Sequence, residues 1–88
     1  MKKILVVCGN GLGSSMMVEM NINSILKDMG KEADVSHTDL TTAKSERADL
    51  FLGSEDIVGS LDDGNRNVVQ LKNLMDKKEL RTALENNL

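Results

Sequence analysis

The residues best suited to chemistry in this sequence form one short stretch, Cys8 to Ser15 (Cys-Gly-Asn-Gly-Leu-Gly-Ser-Ser). The thiol stands directly before glycines at alternate positions, 9, 11 and 13. Glycine lets the backbone approach a ligand closely, and the N–H groups of such a loop can bind an anion such as phosphate. Ser14 and Ser15 add two hydroxyl groups. The stretch therefore predicts a thiol beside a phosphate-sized anion site.

The spacing distinguishes this loop from three familiar anion-binding loops. A Walker A loop ends in Gly-Lys-Ser/Thr, whereas Ser14 follows Gly13 here and the loop contains no lysine. A dinucleotide fingerprint places its third glycine one residue later. A cysteine phosphatase places arginine six residues after its cysteine, a position that Ser14 occupies. No bidentate clamp on the phosphoryl oxygens is therefore expected, although N–H and hydroxyl groups can still bind them.

A helix that begins just after the glycines would activate the thiol. The helix dipole and the loop N–H groups favour thiolate over thiol, and they would also stabilise a phosphoryl group on the sulfur. In the alternative interpretation, Cys8 is a small buried hydrophobe and Gly9 to Gly13 is only a tight turn. Three glycines in five residues exceed what a short turn requires, which favours a bound ligand.

The elements around this stretch alternate between strands and helices. Residues 3–8 are apolar on both faces, as in a central strand of a parallel sheet. From Ser14 or Ser15, apolar residues recur at spacings of three and four until Gly30, which predicts an amphipathic helix that ends at a glycine. Further strands are predicted at 32–38, near a sheet edge, and at 48–53 and 68–71. A short helical turn is predicted within 39–47, a short helix at 54–61, a turn at 62–65 and a final helix at 76–88.

The final helix carries start signals of its own. Asp76 is predicted to cap it, and Glu79 stands in the capping-box position three residues later. Met75 and Leu80 are placed to form a hydrophobic staple across that cap. Leu80, Leu84 and Leu88 predict the apolar stripe of this helix.

This order of elements predicts an α/β fold with an open four-stranded parallel sheet and helices on both faces, a Rossmann-like three-layer arrangement. Ligands of such sheets bind beyond the carboxyl ends of the strands, near the topological switch point. Cys8 stands at the carboxyl end of the first strand, and the loops after Thr38, Gly53 and Leu71 should border the same edge. We expect a single domain over residues 1–88.

The composition argues against several classes of function. The formal net charge is −3 and Phe51 is the one aromatic residue, so no nucleic acid partner is expected. One cysteine and one histidine are too few for a zinc site, and we expect neither a metal nor a cofactor. The apolar run near the N-terminus is too short for a secretion signal, and no stretch approaches the ~20 apolar residues of a membrane span. A free thiol suits a reducing compartment, so we expect a cytoplasmic protein without membrane insertion.

Three further groups of residues carry alternative interpretations. His37 is expected near the carboxyl end of the second strand, where a hydrogen-bonded structural role is favoured over phosphohistidine or general-base chemistry. Met16, Met17 and Met20 cluster in the first turns of the first helix. They would be core residues or, beside the anion site, a flexible apolar patch for docking partners. Residues 54–56 could border the site, but Glu55 and Asp56 are more typical of acids in a first helical turn.

At residues 8–16 the chain resembles the IIB components of the phosphoenolpyruvate-dependent sugar phosphotransferase system. The similarity is to the group phosphorylated on cysteine, most closely the ascorbate type, with weaker agreement at residues 44–46 and 48–49. The resemblance implies a phosphotransferase in which Cys8 accepts a phosphoryl group from phosphohistidine of a IIA protein. Cys8 then passes the group to a sugar, expected to be L-ascorbate, held by a membrane IIC component. The residues implied to bind the phosphoryl group are Gly9, Asn10, Gly11, Leu12, Gly13, Ser14 and Ser15.

Two other functions compete with the carrier. One is a non-catalytic anion- or nucleotide-binding module in which the thiol is incidental. The other is a domain like the low-molecular-weight cysteine phosphatases that lacks their arginine. A phosphatase needs rapid hydrolysis, whereas a carrier must keep its thiophosphate until the acceptor arrives, so the missing arginine favours the carrier.

Overall fold

The computed structural model describes residues 2–8, 12–61, 64, 66–73 and 76–88, without the side chains of residues 12–15. The strands are β1 (Lys2–Cys8), β2 (Ala33–Asp39), β3 (Leu50–Ser54) and β4 (Val68–Leu71). The helices are α1 (Leu12–Met29), α2 (Leu40–Ala43), α3 (Glu55–Val58) and α4 (Lys77–Asn87), and a 3₁₀ turn at Gly59–Leu61 extends α3.

The four strands form one sheet in the order β2-β1-β3-β4, and every described pairing is parallel. The chain runs from β1 to β2 on one side and then crosses over to β3 on the other side, so the topological switch point lies between β1 and β3. The predicted four-stranded parallel α/β fold is confirmed, and β2 lies at an edge as expected.

Two apolar layers cover the sheet. Ile4, Val6 and Cys8 of β1 belong to the buried cluster beneath α1 and α4. Leu5 and Val7 belong to the opposite cluster beneath α2 and α3. Because β1 is covered on both faces, its sequence is a continuous apolar run rather than an alternating one.

Helix α1 begins at Leu12, two or three residues before the predicted start. Gly13 has a low helix propensity and therefore obscures this start in the sequence. The predicted end is confirmed, since Gly30 adopts φ 69° and its N–H donates to Lys27 O at 3.1 Å. The N–H of Lys31 donates to Leu26 O at 2.9 Å, which completes a Schellman motif.

The start of α4 confirms one cap and corrects another. The side chain of Asp76 accepts a hydrogen bond from the N–H of Lys78 at 2.9 Å, as a capping residue does. Glu79 does not form the predicted capping box. Its carboxylate instead accepts from the N–H groups of Lys72 and Asn73 at 2.7 and 3.0 Å, because the loop after β4 presents two donors to it. Glu79 thereby ties the end of β4 to the last helix.

Other boundaries differ little from the predictions. Strand β4 has the predicted bounds, whereas β3 begins at Leu50 and continues one residue beyond Gly53. The predicted staple involves Met75, which lies outside the described residues. Of the predicted turn at 62–65, Gly64 alone is described, and its φ of 85° suits a turn.

Gly53 allows β1, β3 and α3 to pack closely at the switch point. A Cβ at this position would lie 2.5 Å from Val58 Cγ1 and 2.6 Å from the carbonyl oxygen of Val7. The second contact is with the backbone of a central strand, which cannot move aside without breaking the sheet. Any larger residue at position 53 would therefore push α3 away from the sheet.

We expect Gly53→Ala to lower the free energy of unfolding by on the order of 3 kcal/mol, because the added methyl overpacks a buried site. Gly59→Ala is the matched control, since its nearest new contact, Gln70 Oε1, is 4.0 Å away and its φ is −55°. That control should be neutral or stabilising by up to about 1 kcal/mol. Urea unfolding measures both changes, and equal stability of the two variants would contradict the packing at Gly53.

Candidate functional site

Cys8 is the last residue of β1. It therefore lies at the side of the sheet where the carboxyl ends of the parallel strands meet, which we call the carboxyl edge. It is 6 % exposed and packs in the cluster beneath α1 and α4. Its register partner on β2 is Asp39. On the other side, the last described pair between β1 and β3 is Val6 with Leu52, and extending this register by two residues aligns Ser54 with Cys8. We call the aligned residues Asp39, Cys8 and Ser54 the edge row.

The helix that follows Cys8 begins where the anion site is predicted. Residues 9–11 lie outside the described residues, and α1 starts at Leu12. The first four N–H groups of a helix have no acceptor within it, so those of residues 12–15 are potential donors to an anion near the end of β1. A loop that cradles a phosphoryl group over residues 9–15 stays a prediction, as do the roles of Leu12, Gly13, Ser14 and Ser15.

Asp39 is a residue of the edge row that the predicted site does not include. Its carboxylate Oδ1 accepts from the N–H of Thr42 at 2.7 Å and thereby caps α2. The hydrogen bond from this backbone N–H, and after it one from the Thr42 side chain, hold the pKa of Asp39 below its ordinary value. An aspartate directly before a helical turn is a cap signal in the sequence. The sequence does not show that this cap lies beside Cys8.

The acids after β3 add to the negative charge at this edge. Glu55 and Asp56 occupy the first turn of α3 and are exposed, which agrees with their interpretation as first-turn acids. Ser54 occupies the N-cap position, yet its side chain makes no capping hydrogen bond. Asp39, Glu55 and Asp56 thus place three carboxylates at or just after the ends of β2 and β3.

The cap at Asp39 should make folding stability depend on pH. A carboxyl group whose pKa is lowered by folding stabilises the protein above its unfolded pKa, about 3.9, and this stabilisation is lost as the pH falls through the folded pKa. Asp39→Ala should therefore unfold at lower denaturant than wild type at pH 7, and the difference should shrink below pH ~4.

Asp34→Ala is the control, because it removes the same charge from the same strand. The Asp34 side chain has no hydrogen bond or ion pair within the described part of the chain. Chemical unfolding across the pH range measures both variants. A gap between wild type and Asp39→Ala that is constant from pH 7 to pH 2 would contradict the cap.

His37 lies two residues before the edge row on β2, in register with Val6, and contacts Glu19 of α1. Its Nδ1 stands 3.5 Å from Oε1 of Glu19. The same nitrogen is buried and has no hydrogen bond among the described residues, so this contact is not a formed hydrogen bond. The ring thus packs between β2 and α1, where its contact with α1 favours the structural interpretation.

Met16, Met17 and Met20 are the exposed large hydrophobic residues of the described chain, at 55 %, 55 % and 64 %. The core stripe of α1, from Val18 to Leu26, faces the sheet and is buried without them. We call these three residues the methionine patch. They lie in the turns of α1 that directly follow the predicted anion site.

In the described part of the chain, no group of three or more His, Cys, Asp or Glu side chains is placed to hold a metal ion. No helix there is long and apolar enough to cross a membrane.

The fold and the edge row define a class of protein. A thiol at the carboxyl end of the central strand, followed by the start of a helix, is an arrangement suited to carrying a phosphoryl group on sulfur. The family model of the lactose/cellobiose-specific IIB subunit of the PTS system matches residues 3–86. The chain belongs to this family of IIB components of the phosphotransferase system.

Curated relatives support this assignment over most of the chain. The ascorbate-specific PTS system EIIB component of Mycoplasma pneumoniae is 30 % identical over 84 residues, which cover 92 % of this chain and 88 % of that protein. The proteins of the same name from Salmonella typhimurium and Shigella flexneri are each 36 % identical over 76 residues, covering 83 % of this chain and 75 % of theirs.

Membership makes the chain a phosphotransferase that takes part in sugar uptake, and the family implies IIA and IIC components as partners. The family, the fold and the phosphotransfer function predicted from the sequence are confirmed.

Proposed function

We propose that Cys8 is the residue that carries the phosphoryl group. The observation that supports this is its place at the switch-point edge, in a chain of this family, four residues before the first helical residue of α1. In the first step the thiolate attacks phosphorus of a phosphohistidine on the IIA protein. The N–P bond breaks with its electron pair on the imidazole nitrogen, and an S–P bond forms.

In the second step the sugar takes the group. A sugar hydroxyl oxygen attacks the phosphorus and loses its proton to solvent or to a base of the acceptor site. The S–P bond breaks and returns its electron pair to sulfur as thiolate. Neither step changes an oxidation state, so the proposed reaction needs no redox cofactor.

The phosphoryl group on Cys8 is held, in this proposal, by Gly9, Asn10, Gly11, Leu12, Gly13, Ser14 and Ser15. Backbone N–H groups at the start of α1 point toward such a ligand and carry partial positive charge. They act on the charge that develops on phosphoryl oxygens during transfer. This explains how a site without an arginine in the loop binds a dianion.

The proposed sugar is L-ascorbate. The relatives from Mycoplasma, Salmonella and Shigella are named for ascorbate, whereas the family model is named for lactose and cellobiose. The named relatives are similar over three quarters or more of their length, so we follow them. The donor is a IIA protein and the acceptor site is in a membrane IIC component. The single domain, residues 1–88, works in the cytoplasm, as IIB components do.

The methionine patch is the proposed docking surface of this carrier. Unbranched thioether side chains can adapt to surfaces of different shape, and a carrier must contact a donor and an acceptor in turn. The patch lies on the helix that begins four residues after Cys8, so a partner seated on it would be close to the thiol.

Incubation with phosphoenolpyruvate, the general phosphotransferase proteins and a IIA protein tests the carrier. Wild type should gain the mass of one phosphoryl group, and Cys8→Ala should gain none, because the attacking sulfur is gone. Intact-mass spectrometry measures both, and ascorbate with membranes that contain the IIC component should remove the group from wild type.

The competing functions give different results. A binding module would gain no phosphoryl group although IIA is phosphorylated, which would refute the carrier. A phosphatase would hydrolyse an aryl phosphate with turnover. If Cys8→Ala still gained the mass of a phosphoryl group, another residue would be the phosphorylation site, and His37 would be tested first.

Replacing Met16 and Met20 by glutamine should weaken docking and leave the chemistry intact. Loss of an apolar contact surface at an interface costs more than about 1 kcal/mol at its important residues, so KM for phosphorylated IIA should rise roughly fivefold or more. The rate at saturating donor should not change, because neither side chain lies in the loop. Asn23→Gln, an exposed change on the same helix, is the control, and an unchanged KM in the methionine variant would refute the patch.

A further inference from the structure

One hydroxyl group lies beside the thiol across the switch point. Strands β1 and β3 pair through Ile4 with Leu50, Leu5 with Phe51 and Val6 with Leu52. Two residues beyond the last pair, this register places Cys8 level with Ser54. Paired strands lie about 4.8 Å apart, and a Cβ at Gly53 would lie 2.6 Å from the carbonyl oxygen of Val7, so β1 and β3 are still close together one residue before Cys8 and Ser54.

The pleat of β3 directs the Ser54 side chain to the same face as the thiol. Leu50 and Leu52 lie in the cluster that contains Cys8, whereas Phe51 lies in the opposite cluster. Gly53 continues the alternation, because a Cβ there would meet Val58 on the opposite side. Since successive residues of a strand face opposite ways, Ser54 faces the side of α1 and Cys8.

The hydroxyl has no structural task within the described part of the chain. Serine at an N-cap ordinarily accepts from the helix that it precedes, but Ser54 makes no such bond to α3. Its side chain takes part in no other hydrogen bond of the described residues. Ser54 is half-buried, so its O–H group is accessible and can donate a hydrogen bond to a ligand.

We propose that the Ser54 hydroxyl donates a hydrogen bond to the phosphoryl group on Cys8. The inference rests on the proposed function of Cys8 and adds a contact from β3 to those of the loop. A hydroxyl can turn its hydrogen toward an anion or its lone pair toward a donor. Hydrogen bonds to charged oxygens are about twice as strong as neutral ones. Ser54 therefore stabilises the transferring group without adding a positive charge to the edge.

The test is the single-turnover rate at which Cys8 takes the phosphoryl group from saturating phosphorylated IIA. Ser54→Ala should slow this step roughly tenfold or more, because a hydrogen bond to a charged group is lost. The IIA concentration that gives half the maximal rate should stay unchanged. Ser54→Thr keeps a hydroxyl and should retain most of the rate. The ³¹P resonance of the phosphocysteine should shift in Ser54→Ala and not in Ser54→Thr.

Ser60→Ala is the matched control. It removes an exposed serine hydroxyl from the 3₁₀ turn, where Oγ donates to Ile57 O at 3.3 Å, and should behave as wild type. Denaturant midpoints of all variants separate a loss of contact from a loss of fold.

The outcomes of this test separate the two proposals. If Ser54→Ala had the single-turnover rate and the ³¹P resonance of wild type, the proposed role of the Ser54 hydroxyl would be refuted, and Cys8 would still be the carrier. The role of the hydroxyl would also be refuted if the slower rate of Ser54→Ala came with a lowered denaturant midpoint, or if Ser54→Thr were equally slow. Failure of wild type to take the phosphoryl group at all would refute the proposed function itself.

Discussion

The structure depends on the burial of one strand. β1 is covered by apolar layers on both faces and flanked by parallel strands on both sides, so it cannot shift or turn without breaking both layers. Cys8 is the last residue of that strand, so its position is fixed by the packing of the strand. Carriers transfer a group between two partners, and a fixed thiol lets each partner find the same geometry. Helix α1 begins four residues after this fixed point.

Close packing at the switch point, where β1, β3 and α3 meet at Gly53, also positions the end of β3. Because Gly53 has no side chain, α3 can seat Val58 against the end of β3. The alternation along β3 then turns Ser54 toward the thiol face. In the proposed site, β3 therefore contributes as well as the loop, because close packing at Gly53 fixes the end of the strand that carries the Ser54 hydroxyl. The geometry beside Cys8 is thus set by β1, β3 and α3 together.

Much of this could be predicted from the sequence, and the reason is periodicity. The apolar run before Cys8 predicts a doubly covered strand, and the stripe of α1 with Gly30 predicts a helix and its end. The rest depends on tertiary pairing. The side-chain acceptor role of Glu79 required the loop after β4, and no spacing rule reports which loop N–H groups a carboxylate will meet. Asp39 and Ser54 are aligned with Cys8 by strand order and register, which one sequence alone does not determine. Gly13 hid the start of α1 because local propensity and the actual helix disagree there.

The acidic edge has a thermodynamic consequence for the carrier. In the proposed carrier, a phosphoryl group on Cys8 brings up to two negative charges to an edge that already holds Asp39, Glu55 and Asp56. Repulsion from these carboxylates raises the free energy of the phosphorylated form more than that of the free thiol, although salt and water weaken it. The phosphorylated form therefore has a higher group-transfer potential than it would have at a neutral edge. Departure of the group toward the sugar relieves that repulsion, so the protein's own surface charge favours delivery over retention.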